Sequence, residues 1–212
     1  MMWDEIAIFL HRWQNLAGAI VGGLFALGVA LLVSYLARNR EDRAAAMILT
    51  AAFVSINARH STLERLAKER SVSAADLHKW LAEKLVQSRP KLSSGFEGAL
   101  ARLLLVHTRL AVHLELFRTL YHEMDEKLDR IDEDYKYFHE HRKALRPPDI
   151  MEADSKLASD SFAAAVRHAN CAEHLLGLFV FARFPSWHVW RYKFLPSNDE
   201  KECKELDAGS NA

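Results

Sequence analysis

The segment Leu16–Leu36 reads LAGAIVGGLFALGVALLVSYL, and its 21 residues include no charged side chain. At about 1.5 Å of rise per residue, a helix of this length spans about 31 Å, which matches a hydrocarbon core of about 30 Å. A core helix of a soluble protein seldom runs this far without a charge. We therefore interpret residues 16–36 as a transmembrane helix.

A cleaved signal peptide is the main alternative for this segment. The residues before the apolar run should then be basic, yet they include Asp4 and Glu5. The run also exceeds the roughly 7–15 apolar residues of a signal peptide. We predict a retained anchor, preceded by an interfacial segment over residues 1–15. There Trp3, Ile6, Leu10 and Trp13 recur at helical spacing, and tryptophan is typical of membrane interfaces.

The charges that flank the span predict its orientation. Arg12 precedes the span, whereas Arg38, Arg40 and Arg43 follow it closely. Because Lys and Arg near a span favour the cytoplasmic side, we expect the C-terminal part in the cytoplasm of a single-pass inner-membrane protein. A reducing compartment also agrees with two unpaired cysteines, Cys171 and Cys203.

Small residues recur at every fourth position of the span and would share one face of the helix. Close backbone approach on such a face favours helix–helix packing in lipid, so we predict a homo-oligomer. The alternative is that the row reflects only the usual composition of membrane helices. The predicted packing face consists of Gly18, Gly22, Ala26, Ala30 and Ser34.

The remainder of the chain predicts an all-α fold, a cytoplasmic antiparallel helical bundle or coiled coil over residues 37–196. Three long stretches contain neither Gly nor Pro: residues 29–89, 99–146 and 149–176. Such stretches, rich in Ala, Leu, Glu, Lys and Arg, are typical of helices. We expect the membrane helix to continue to about Arg70, with an apolar stripe over Leu49, Phe53, Ile56, His60, Leu63 and Ala67. A short helix should end at about Gln87, a last long helix should extend from about Ile150 to Ala182, and residues 197–212 should form a polar, disordered tail.

One long helix from Phe96 to Phe138 is predicted to carry the main seam of the bundle. Apolar residues keep four-three spacing along it, which is typical of coiled-coil packing, and Ser94 with Glu97 would cap its start. His107 is the one polar member, and we expect it to set register or sense pH opposite His60. The central seam residues are Leu100, Leu103, His107, Leu110, Leu114, Phe117 and Tyr121.

Histidine is frequent, with 11 residues in 212, and histidine is a common metal ligand. On the last predicted helix, His168, Cys171 and His174 share a face. If the hairpin turns at Pro147–Pro148, His174 lies opposite His122. Imidazole and thiolate ligands suit a transition metal, although the same residues could merely flank a helical seam. The candidate ligands are His122, His168, Cys171 and His174.

Two segments, residues 135–146 and 184–194, mix aromatic with basic side chains, a composition that suits a lipid headgroup layer. We expect the first of them to approach the membrane. Ordinary amphipathic packing is the alternative for both.

The function predicted from sequence is that of a membrane-anchored helical scaffold or docking module. No phosphate-binding loop, CxxC pair, HExxH, GxSxG or Glu-x-x-His motif occurs, so we predict no enzyme and no cofactor. With 28 basic and 28 acidic residues, bulk charge does not favour nucleic acid. The expected partners are the lipid bilayer, a second copy and an unknown protein. The alternative is a membrane-tethered sensor that binds a ligand, proton or metal.

Overall fold

A computed structural model describes residues 2–182, 185–195 and 197–209. Over these ranges the chain is all-α, as predicted, with no strand. A π-helical segment, Gly177–Phe181, follows the fifth helix. The α-helices are α1 Met2–Glu69, α2 Leu77–Gln87, α3 Phe96–Leu103, α4 Thr108–His141, α5 Pro148–Leu176, α6 Pro185–Phe194 and α7 Asn198–Gly209.

The chain divides into two compact units, Met1–Asp42 and Arg43–Ala212. In the first unit, every residue from Leu16 to Arg38 is exposed, including Leu24 and Phe25 at 64% and 74%. Among the described helices, α1 is the one that is long and apolar enough to cross a membrane. The predicted interfacial residues Trp3, Ile6 and Leu10 lie outside the described side chains.

The second unit begins with the part of α1 from Arg43 onward, and its buried face is the predicted stripe. Residues four and three apart lie on one side of a helix, so this spacing turns one face toward the core. His60, in the same register, is only partly buried. The buried residues of the stripe are Leu49, Phe53, Ile56, Leu63 and Ala67.

Side-chain contacts fix the directions of α1, α4 and α5. In α1, Arg43 Nε donates to Val180 O (3.4 Å) and Asn57 Nδ2 donates to Asn170 Oδ1 (2.6 Å), so this part of α1 is antiparallel to α5. Ser161 Oγ of α5 donates to Glu123 of α4 at 2.9 Å, while His168 contacts His113. Because α4 is also antiparallel to α5, α1 and α4 are parallel.

The return path between α1 and α4 is made by α2 and α3 together. The Tyr121 hydroxyl of α4 donates to Pro90 O, which follows α2, and the ring of Phe96 in α3 lies 5.7 Å from that of Phe117. Residues later in α2–α3 therefore meet residues earlier in α4. The second unit is an up-down-up-down bundle in which the second layer is the broken pair α2–α3.

The prediction of one continuous helix from Phe96 to Phe138 is wrong. The chain turns over residues 104–106 and α4 starts anew after His107, which has extended backbone angles and accepts the Arg109 N–H through Nδ1 (3.2 Å). His107 is thus the N-cap of α4 rather than a seam residue. The other predicted seam residues are all buried: Leu100, Leu103, Leu110, Leu114, Phe117 and Tyr121.

The start of α3 and the pairing of α4 with α5 also differ from prediction. The N-cap of α3 is Gly95, with no side-chain cap from Ser94. Because α4 ends at His141 and Arg142 adopts a left-handed conformation, the hairpin turns before the proline pair. His168 therefore lies opposite His113, about four helical turns from the position predicted for it.

The predicted disordered tail is largely helical. Within residues 197–212, α7 occupies Asn198–Gly209, and residues 210–212 lie outside the described set. Cys203 and Glu200 of α7 are buried, so this segment packs onto the bundle despite its polar composition.

Candidate functional site

A pair of buried histidines lies between α4 and α5, near the end of the bundle that also holds α6 and α7. His113 is fully buried and His168 is 7% exposed. Their Nδ1 atoms are 3.0 Å apart, so one neutral ring donates to the other. The spacing that buries Leu110, Leu114 and Phe117 on α4 also directs His113 inward, one turn from Leu110.

Burial governs the protonation of this pair. It lowers the pKa of His113 to about 4, and the nearby Arg109 charge acts in the same direction. A hydrogen bond to the Cys203 backbone opposes the shift. His113 is therefore neutral near pH 7.

The two cysteines form a disulfide, which corrects the expectation that they are unpaired. Cys171 lies one turn after His168 on α5, and Cys203 lies on α7, with Cα atoms 5.6 Å apart. Both are 5% exposed. Since 32 residues separate them in sequence, the bond ties α7 to α5.

A capping box at the start of α7 reinforces this attachment. The Ser197 N–H donates to Glu200 Oε2 (2.6 Å), and the Glu200 N–H donates back to Ser197 Oγ (3.4 Å). Arg191 donates to the same carboxylate at 2.5 Å, and His174 Nε2 lies 3.5 Å away. Burial opposes ionisation of Glu200, but the Ser197 amide and the charges of Arg191 and His174 outweigh it, so the pKa is lowered.

His107 packs among aromatic rings beside this region instead of facing His60. Its ring centroid lies 4.2 Å from that of Phe179 and 6.5 Å from that of Tyr192. Burial lowers the pKa of His107, with Arg109 contributing. His60 instead lies 5.6 Å from the Phe162 ring, so the predicted pairing of these two histidines does not occur.

The four predicted metal ligands are not brought together. His122 is exposed beside Glu97 (3.7 Å), His168 contacts His113, Cys171 is bonded to Cys203, and His174 faces Glu200. The predicted hairpin register placed His174 opposite His122, whereas α4 ends before the proline pair and His122 lies on the exposed side of this helix. In this disulfide-linked structure, the described residues hold no group of three or more His, Cys, Asp or Glu arranged for a metal ion.

A separate cavity of about 420 Å³ lies between α1, α2 and α5. Its wall combines the apolar side chain of Phe162 with polar and charged groups, among them His78, which lies 3.7 Å from Asp160. Sequence reasoning did not find it, since no motif marks a cleft formed by three helices. The polar and charged lining residues are His60, Glu64, Lys68, Ser71, His78, Ser159 and Asp160.

The small-residue face of the membrane segment stays a prediction. A Cβ atom built at Gly18 or Gly22 meets nothing within 4 Å, and the same holds at Gly28. Each of these glycines therefore has room for a side chain within a single copy of the chain.

Comparison with known proteins gives no relative: no family model, no curated protein and no solved structure matches the chain.

Proposed function

We propose that this chain is a single-pass membrane protein whose helical domain acts as a scaffold or docking module. The observation that supports the proposal most strongly is that two parts of α1 have different surroundings. Residues 16–37 are all exposed and include no charged side chain, whereas residues 45–67 supply one wall of a folded core. An apolar surface of this extent is not stable in water, and lipid is the solvent that suits it.

The orientation that we propose places the N-terminus outside and the helical domain in the cytoplasm of an inner membrane. Arg38, Arg40 and Arg43 after the span, against Arg12 before it, support this direction. The Cys171–Cys203 disulfide weighs the other way, because persistent disulfides are typical of oxidising compartments. A topology measurement decides between the two.

Helix α6 is the part of the domain that we expect to touch the lipid headgroups. Its Trp187, Trp190 and Phe194 side chains are exposed beside Lys193. The helix follows Val180, whose carbonyl accepts from Arg43, a residue only seven positions after the span. The sequence favoured residues 135–146 for this role. Within the second unit, these residues lie at the end of α4 away from the Arg43–Val180 contact, and we therefore propose α6 instead.

Crosslinking in native membranes tests the docking role. A docking module should give discrete crosslinked species that depend on the folded domain. Leu114→Asp buries a carboxylate in the core while leaving the span intact, so these species should disappear. The matched variant Thr119→Asp introduces the same group at an exposed position of the same helix and should retain them. Identical species from both variants would refute a docking role for the domain.

A membrane-tethered sensor is the second candidate function. It is favoured by one observation: two buried histidines and both cysteines of the chain meet where α4, α5 and α7 pack together. Buried titratable groups with perturbed pKa values cluster at functional sites.

A further inference from the structure

We propose that His113, His168, Cys171 and Cys203 form a zinc site when the disulfide is reduced, so that the two cysteines alternate between a disulfide and a pair of zinc ligands. Two thiolates and two imidazoles are the ligand set of a tetrahedral structural zinc site. The inference deepens the sensor reading of the proposed function.

The two histidines already have nearly the separation that zinc coordination requires. Two nitrogen ligands at 2.0–2.1 Å from one tetrahedral zinc are about 3.3 Å apart, and the two Nδ1 atoms are already 3.0 Å apart. Both rings are buried on facing helices, so little movement is needed to direct both nitrogens at one ion.

The cysteines complete the same group. Cys171 is three residues after His168 on α5, and residues at this spacing are neighbours on a helix face. Cys203 lies against Cys171 across the α5–α7 contact, with Cα atoms 5.6 Å apart, and its backbone lies next to the His113 ring. Each of the four residues thus neighbours two others, and three helices supply them. Two thiolate sulfurs on one zinc need a separation of about 3.8 Å, which side-chain rotation at this Cα distance permits.

Charge and solvation favour an ion here once the disulfide is open. Two thiolates neutralise a divalent cation, so the buried site carries no net charge. The other ionisable groups near the cluster are Arg109, Arg191, His174 and Glu200. Glu200 is engaged by Ser197 and Arg191.

The two states interconvert by thiol–disulfide exchange coupled to zinc binding. A dithiol reductant donates two electrons and two protons to the Cys171–Cys203 bond and itself becomes a disulfide. The two thiols then release their protons to solvent as zinc binds the thiolates and the two neutral imidazoles. Oxidation by a disulfide-bearing partner reverses the sequence, closing the bond and releasing the ion. In a reducing compartment, the zinc form is the expected one.

Metal binding by the purified full chain in detergent tests the proposal. After reduction with a phosphine in the absence of oxygen and addition of zinc, we expect one zinc per chain once free metal is removed, and none in the oxidised protein. Cobalt, used as a spectroscopic probe, should show the bands of a tetrahedral site with sulfur-to-metal charge transfer. Absence of zinc from the reduced protein would overturn the proposal.

Variants assign the ligands. Cys203→Ser should lower zinc affinity by more than about 100-fold, since losing even an outer-shell contact costs 10–100-fold. His122→Ala, at an exposed histidine outside the cluster, should leave it unchanged. The reduced, metal-free wild type lacks the disulfide as the variant does, so their helicity can be compared directly. Undiminished affinity in Cys203→Ser, or an equal loss in His122→Ala, would place the metal elsewhere.

Discussion

His113 shows how a single buried side chain makes stability depend on pH. Its ring has no exposure to solvent, and its pKa falls from an ordinary value near 6.5 to about 4. In the unfolded chain the ring binds a proton below about pH 6.5, whereas in the folded protein it stays neutral until about pH 4. Stability from this residue is therefore complete above pH 6.5 and is lost as the pH falls through this window.

The shift predicts a loss of about 3 kcal/mol between pH 7 and pH 4, because each pKa unit corresponds to 1.36 kcal/mol. Urea unfolding of the metal-free, disulfide-linked chain in detergent, followed at several pH values, measures it. His113→Gln should flatten this dependence, while His122→Gln, at an exposed position, should retain it. An unchanged slope in His113→Gln would show that other groups control the acid response.

The role of His107 could not be predicted from the sequence. Nothing in composition separates His107 from its neighbours, and no Gly or Pro signals the turn before it. Its role as an N-cap depends on its imidazole accepting the Arg109 N–H, a part more often taken by Ser, Thr, Asp or Asn. Because His107 falls in the four-three spacing of the apolar residues, the sequence alone predicts it as a seam residue.

At the scale of helices, α4 holds the centre of the bundle. Leu114→Asp places a carboxylate among fully buried side chains, and an unpaired buried polar group costs several kcal/mol, roughly. We expect the variant to lose cooperative thermal unfolding of the domain, measured by near-ultraviolet circular dichroism. Thr119→Asp, exposed on the same helix, should shift stability by no more than about 0.5 kcal/mol. Equal tolerance of both changes would refute the packing of α4.

The membrane segment of α1 permits a similarly matched comparison. Van der Waals contact must drive pairing in lipid, and it needs small side chains on the shared face. Gly22→Ile should cut self-association of the isolated span in a bacterial membrane two-hybrid assay. Gly28→Ile, off the small-residue row, should not. Because neither position has a neighbour within 4 Å, the substitution itself is sterically tolerated. An unchanged signal in both variants would leave the row as composition alone.

Helix patterns predicted the elements better than their connections. The buried stripe of α1 and the buried residues of α3 and α4 follow directly from four-three spacing. The break between α3 and α4 has no such signal. A single helix from Phe96 to Phe138 would be antiparallel to α1, whereas the break makes α4 parallel to it. By contrast, α7 did have a signal: Ser197 and Glu200 fit the S-x-x-E capping box, and the structure forms it. The polar composition of the tail hid that pattern.

Of the four residues in the candidate site, the sequence predicted the proximity of only two, His168 and Cys171. His168 and Cys171 are neighbours on one helix, so their proximity follows from spacing. His113 and Cys203 are 55 and 32 residues from those partners, and only the true register of α4 against α5 and the docking of α7 place them there. Such long-range pairing depends on where helices end, which is the least certain part of sequence reasoning.

At the scale of the whole molecule, the proposed orientation of the chain in the membrane makes a testable prediction. With the domain in the cytoplasm, a reporter that is active only outside the cytoplasm, fused after Ala212, should be silent. The physical reason is the three arginines that follow the span. Reporter activity would show that the domain lies outside the cytoplasm, where the cysteines would remain in the disulfide form.

The central claim is that residues 16–36 anchor a folded helical domain in a membrane, and alkaline carbonate extraction tests it most directly. Membranes from cells that produce the full chain should retain it in the pellet, with the mass of the uncleaved chain. The double variant Leu24→Arg/Leu27→Arg should move to the supernatant, because each arginine near the centre of a span costs about 2.5–3.5 kcal/mol. Recovery of the wild-type chain in the supernatant, or of a shorter chain that lacks residues 16–36, would contradict the account.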